Sequence, residues 1–402
     1  MSETVATRGR EAVAQRMASA AAEWLASLSA GQRALAVADG PGAASPSEDD
    51  RLTWFFTPTD HGGLTLHEQS PQQQSLAMQL VSSGLSMEGY VTACVIMGTE
   101  NILDRLESWR IDWGMERGRD PQRYYLRVFG TPGSGTWAWR FGGHHISMNN
   151  LVVDGRLVSA TPSFFGSDPA EAGFVGGGHV RPLGAGEDHA RALLHALGPV
   201  QRDLATLLDR APADIVGGNR TLIGDDARMP RMDDVWRGRF REPRLADYIS
   251  TIHDREEQRS GFDDAAYAVL SLTREPKGIA GSALSPDQRA LLLRTITAYT
   301  GRAPDEIAAE ESAFYSVAAN LDPVHFAWAG SADRGRPHYY RIQGPRILIE
   351  YDNTQRLGNH CHAAWRDPVA DFGLDVLYEH LDVFHRDDEV IRWPADEAGG
   401  RA

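Results

Sequence analysis

Four of the chain's fourteen histidines fall in two short stretches, WAWRFGGHHISMNN from Trp137 to Asn150 and NHCHAAWRD from Asn359 to Asp367. Imidazole is the commonest protein metal ligand, and its concentration among Asn, Trp and Arg points to a site. His360 and His362 are two apart. In extended backbone both rings face the same side, about 6.5–7 Å apart at the backbone, which suits two ligands on one metal ion. His144 and His145 are adjacent, so in a regular strand they face opposite ways. Both reach one metal only if Gly142 and Gly143 bend the chain. Otherwise one is a ligand and the other packs or donates a hydrogen bond behind it. His360, His362 and His144 are the first ligands expected. Such a donor set suits zinc, iron or copper, and spacing does not choose between them. The competing reading has all four histidines bonding backbone groups inside a polar core.

Around these rings, Glu350 and Asp352 could supply a carboxylate ligand or a general base; Asp352 could equally start the turn that follows. Asn149 and Asn359 could orient ligands or hold a substrate, or could satisfy backbone groups at strand ends. Arg366, with Arg140 and Arg341, could clamp an anion or form ordinary ion pairs. Trp139 and Trp365 fit the core better than a substrate platform.

Composition bounds the partners. A net charge of -15 argues against nucleic acid and against anionic membrane surfaces. No run approaches the ~20 apolar residues of a membrane span, and the N-terminus lacks an apolar signal core, so a cytoplasmic protein is expected. Two cysteines, Cys94 and Cys361, cannot make a disulfide framework. No GxxxxGK, GxGxxG, GxSxG or HExxH pattern occurs, so no nucleotide cofactor is expected.

The elements that must position these residues are of mixed type. Apolar spacing predicts a helix from Glu11 to Leu28, and capping boxes at Ser29, Ser70 and Ser285 open three more. A helix over Met87–Trp109 carries Glu88 and Glu100, both read as solvated. Aromatic runs predict a strand at Arg51–Thr57, a meander over 124–160, and a second one from Val324 to Tyr351. Residues 161–186 read as a long loop with a lid or docking role, Asp188–Leu208 as one helix, and Leu374–Leu381 as a last one. The fold expected is α+β, helices packed on antiparallel sheets, with the site between two possibly related halves. Its parts are an N-terminal helical segment (1–50), a first half (51–210), an irregular linker (211–280), a second half (281–394) and a disordered tail (395–402). The halves echo each other: WRFGG at Trp139–Gly143 can be laid on YRIQG at Tyr340–Gly344.

The chain also resembles an uncharacterised bacterial and fungal family, domain of unknown function 3500. The resemblance runs through the Trp54 segment, the Ser70 helix with Gln74, and RDP at Arg119–Pro121. GHHISMNN with TPSF at Thr161–Phe164 matches most specifically, followed by HYYRIQGPRILIEYD, NHCHAAWRDP and DFGLDVLYEH. One departure is His61, where the family often has Arg before Gly63 and Leu64. The family name implies no activity. From the residues, the expectation is a metal-dependent enzyme, hydrolytic or oxidative, acting on a small molecule. The alternative is a non-catalytic protein that binds a small ligand or a metal in the same pocket.

Overall fold

The computed structural model describes residues 3–42, 46–115 and 117–377. Two antiparallel meanders carry the fold. In the first, Tyr125–Phe129, Thr136–Gly143 and Ile146–Val153 pair in chain order, and Ser163–Ser167 pairs with the last of them. In the second, His325–Gly330, His338–Gly344, Ile347–Asp352 and Cys361–Arg366 pair in the same way. The meanders join where Cys361–Arg366 runs antiparallel to Ser163–Ser167. With short flanking strands this makes one 13-stranded sheet of an α+β fold. The joint is therefore made beside both histidine stretches.

Both faces of the sheet are covered, which is why its central strands are apolar almost throughout. One face packs against helices, burying Trp24, Leu80, Leu193, Leu292 and Ile296 with Trp137, Trp139 and Tyr340. The other is covered by the segments around Trp54–Phe56, Ile215 and Phe372–Leu374. Strand alternation sorts the last strand between them: Cys361 and Ala363 belong to the helical core, Ala364 to the opposite cluster. His362 lies on that opposite side, its ring 5.1 Å from Phe56 and 5.4 Å from Phe164.

All three expected capping boxes are present, at Ser29, Ser70 and Ser285. The glutamines of the first two boxes bond each other, Gln32 donating to Gln73, and Gln288 of the third accepts from Gln201 near the start of the Pro199–Ala205 helix. Before each of the Ser70 and Ser285 helices stands a two-residue strand and a 3-10 turn. The WRFGG and YRIQG stretches both lie on the second strand of their meanders.

Several expectations are corrected. Arg51–Thr57 is not a strand: a helix runs over Pro46–Leu52, and Trp54 and Phe56 are buried from irregular backbone. Residues 161–186 contain the central strand Ser163–Ser167 and a separate hairpin, Ala172–Phe174 with Gly178–Val180. The helix read over Asp188–Leu208 stops at Ala196, restarts at Pro199 and ends in the strand Thr206–Leu208, because Gly198-Pro199 removes a helical N–H and clashes with continuation. Val200 and Leu204 are consequently exposed. Residues 211–280 are no linker: residues 211–219 are buried, and Pro243–Ser260 is an 18-residue helix. Glu100 is not solvated but 2% exposed, on the buried face of its helix with Ile96 and Leu103. Residues 374–377 are helical; Leu381 and the tail 395–402 lie outside the described residues. Among those described, no helix is long and apolar enough to cross a membrane.

Candidate metal centre

The turn between Thr136–Gly143 and Ile146–Val153 consists of His144 and His145 themselves. His145 takes a positive φ of 67°, held by its N–H donating to Phe56 O (3.0 Å) and its carbonyl accepting from Gly166 (2.8 Å). The adjacent histidines therefore do not face opposite ways; their rings lie 3.7 Å apart at a tilt of 30°. Gly166 leaves room for this: a Cβ there would stand 2.6 Å from His145 Cδ2. His360 precedes the last strand and His362 lies in it, so this strand's pairing with Ser163–Ser167 carries both to His145.

Three Nε2 atoms converge. His145 Nε2 is 2.8 Å from His360 Nε2, which is 3.0 Å from His362 Nε2. A carboxylate holds the far side of one ring: Asp214 Oδ1 is 2.7 Å from His362 Nδ1, whereas Asp168 Oδ2, 3.6 Å from His360 Nδ1, is a nearby charge that bonds Arg356 instead. A carboxylate at Nδ1 fixes the tautomer with its hydrogen there, leaving Nε2 a bare lone pair. His362 Nε2 is thus an acceptor aimed at His360 Nε2, which in turn meets His145 Nε2. A charged ring, or a neutral ring carrying its hydrogen on Nε2, satisfies such a contact. Burial pushes His145 and His360 well below the usual histidine range, helped by neighbouring imidazoles and, more weakly, by Arg119 for His145 and by Arg356 and Arg119 for His360. Neutral rings with converging lone pairs are the state that accepts a cation.

His144 is differently engaged. Its Nδ1 is 2.5 Å from Glu100 Oε1. Burial raises the Glu100 carboxyl to about 8 and lowers His144 well below its usual range. Burial disfavours charge on both partners, and the contact engages Nδ1 while leaving His144 Nε2 unclaimed; Glu100, His144 and His145 form a second group that could hold a metal ion. Around it runs a chain of ion pairs. Arg119 is bidentate on Glu107 (2.8 and 3.0 Å), and Arg356 bridges Glu107 and Asp168 at 2.6 Å each. Burial raises Asp168 to about 6 against the pull of Arg356.

A cavity of about 340 Å³ opens onto these groups. His144, His360, His362, Asp168 and Asp214 line its floor, and residues from 111–113 and 232–256 form its roof. The region read as a linker is the cover of the site.

The remaining sequence candidates stand elsewhere. Glu350 is buried, accepting from the N–H groups of Val216 (2.7 Å) and Gly217 (2.9 Å) and from the Tyr339 hydroxyl (2.7 Å). Asp352 caps its own turn through Thr354 N and Oγ1, both at 2.9 Å. Arg366 pairs with Asp371 (2.6 Å) and donates to the Arg220 and Thr221 carbonyls. Asn149 donates to Pro162 O (2.9 Å). Arg140 donates to the carbonyls of Asp50, Thr53 and His61. None of these five lines the 340 Å³ cavity. Asp214, Asp168 and Glu107 escaped the sequence reading because isolated carboxylates in loops and at helix ends carry no local signal. Glu100 had one: its place on the stripe with Ile96 and Leu103.

The profile of a family described as protein of unknown function DUF3500 matches residues 10–374. The chain belongs to that family. The match spans both histidine stretches, the Asp168 and Asp214 loops and the whole roof of this DUF3500 chain. No curated protein and no solved structure matches it.

Proposed function

We propose that the protein binds one divalent metal ion, zinc, iron or copper, through Nε2 of His145, His360 and His362, and acts with it as an enzyme on a small molecule held under the roof. The observation that carries this reading is the meeting of three imidazole nitrogens at 2.8 and 3.0 Å, from the buried His145 and His362 and the half-buried His360. Metal–imidazole bonds of ~2.0–2.1 Å at tetrahedral angles place ligand nitrogens ~3.3 Å apart, close to the two contacts at 2.8 and 3.0 Å, and all three nitrogens lie within 4.8 Å of one another. Such an ion lowers the pKa of a bound water and polarises a carbonyl; iron or copper adds oxidative chemistry. Asp214 holds the His362 ring in register, and three histidine ligands would leave a fourth coordination position open.

The test is metal analysis of the purified protein, with thermal melting in the presence and absence of chelator, for wild type and for the double variant His360→Ala/His362→Ala. The expected result is about one metal per wild-type chain, none in the variant, and a chelator-induced drop in melting temperature for wild type alone. A metal at a hundredfold over its dissociation constant stabilises the fold by ~2.7 kcal/mol. Metal-free wild type indifferent to chelator would overturn the reading. A metabolite-turnover screen on the metal-bound form then separates an enzyme from a binding protein.

A further inference from the structure

The two walls of the cavity differ in kind. The roof presents Ile111, Trp113, Met232, Trp236, Ile249 and Ile252. These belong to a small hydrophobic cluster of their own, apart from the main core. Trp113 and Trp236 pack at 5.3 Å with a 39° tilt, and Arg119 lies 5.1 Å over the Trp113 ring. The charged side chains of the lining are Glu107, Arg119, Asp168, Asp214, Glu256 and Arg356. Each already has a counterpart: Glu107 holds both arginines, Asp168 holds Arg356, Asp214 faces the His362 ring, and Glu256 takes Arg259 at 2.5 Å.

We infer that the ligand of this cavity is a small molecule with an uncharged apolar body, seated against the Trp113–Trp236 roof, whose oxygen donors lie at one end and face the histidines. The inference deepens the metal reading and rests on it only for that oxygen-bearing end. A sugar-like polyol would leave most of its hydroxyls against a wall whose polar groups are few, chiefly Tyr248, Glu256 and the unpartnered Trp113 Nε1. A body carrying a distant carboxylate or phosphate would be desolvated without a free cation to meet it, since both lining arginines are committed to carboxylates. A flat or branched apolar body loses nothing there and gains the area it removes from water.

Three probes separate these cases: catechol, myo-inositol and 3,4-dihydroxybenzoate. All offer neighbouring oxygens; the second lacks the apolar body and the third adds a remote charge. Binding to metal-loaded wild type is followed by calorimetry and by tryptophan quenching. Catechol is expected to bind at least ~10-fold more tightly than either of the others, and Trp236→Ala to weaken catechol at least ~10-fold while leaving metal content unchanged. Equal or tighter binding of myo-inositol or 3,4-dihydroxybenzoate would overturn the inference, and the probe series needs no variant should Trp236→Ala fail to fold. Benzyl alcohol against 4-carboxybenzyl alcohol, on chelator-treated protein, makes the same comparison without a metal. Preference for the uncharged alcohol there would uphold the roof even if no metal binds. Loss of that preference with metal still bound would sink the roof and leave the metal reading standing.

Discussion

Asp214→Ala puts the proposed centre to its sharpest test, because it touches no ligand atom. The Asp214 carboxylate meets His362 Nδ1 at 2.7 Å, with the ring 7% exposed and walled by Phe56 and Phe164. Without it, nothing described at Nδ1 holds the tautomer that presents a lone pair at Nε2. Carboxylates behind a histidine ligand are worth 10–100-fold in metal affinity, which is ~1.4–2.7 kcal/mol. The upper part of that range is expected here, since the ring is buried and water cannot replace the partner well. Asp214→Asn, which keeps an acceptor and loses the charge, should fall near the lower end. Affinity is read by competition with a chromophoric chelator, and folding by circular dichroism. Asp352→Asn is the control: Asp352 pairs with His362 in strand register yet spends its oxygens on Thr354, so metal affinity should stay within ~3-fold of wild type. An Asp214→Ala protein that folds and binds metal as tightly as wild type would refute the argument that this carboxylate sets the ring.

Three further perturbations follow from the same geometry. Gly166→Ala places a Cβ 2.6 Å from His145 Cδ2 and 3.0 Å from Cys361 O, so the ring must move; metal content should drop while the far-ultraviolet dichroism stays native, and full occupancy would count against His145 as a ligand. Glu350→Gln should cost ~2–4 kcal/mol in urea unfolding, because three donors at 2.7–2.9 Å lose a buried charged acceptor, with metal stoichiometry unchanged; loss of metal instead would return Glu350 to the site. His338 is pushed down to about 4 by burial, with Arg191 adding to the shift. Its folded pKa lies below the unfolded value near 6.5, so its contribution is complete above pH 6.5 and is lost as pH falls toward 4, by ~3 kcal/mol. In metal-stripped protein, His338→Phe should flatten that part of the stability–pH curve, and an unchanged slope would contradict the shift.

What could be read from the chain divides by the range of the forces involved. Capping boxes are local, three residues wide, and Ser29, Ser70 and Ser285 all open helices as expected. The meander strands were readable because pairing of neighbours needs only alternation and a turn. Ser163–Ser167 was missed because a central strand buried on both faces shows no alternation, and its flanking Pro162 and Pro169 read as loop. Pro243–Ser260 was missed because its sparse apolar face of Leu245, Ile249 and Ile252 sits among charges; Pro243 at its start and Gly261 in the left-handed cap were the available signals. The site divides in the same way. Two residues apart in locally extended backbone put His360 and His362 together without any knowledge of the fold, although His360 stands just ahead of the strand that holds His362. The choice between His144 and His145 depended on the left-handed backbone of His145, and on Glu100 arriving from a helix 44 residues earlier to occupy Nδ1 of His144. That contact engages one nitrogen of His144, and it is a tertiary fact. Alternation on a strand can place a ligand on a face, but which of its nitrogens stays unclaimed is decided by whatever the rest of the chain packs behind it.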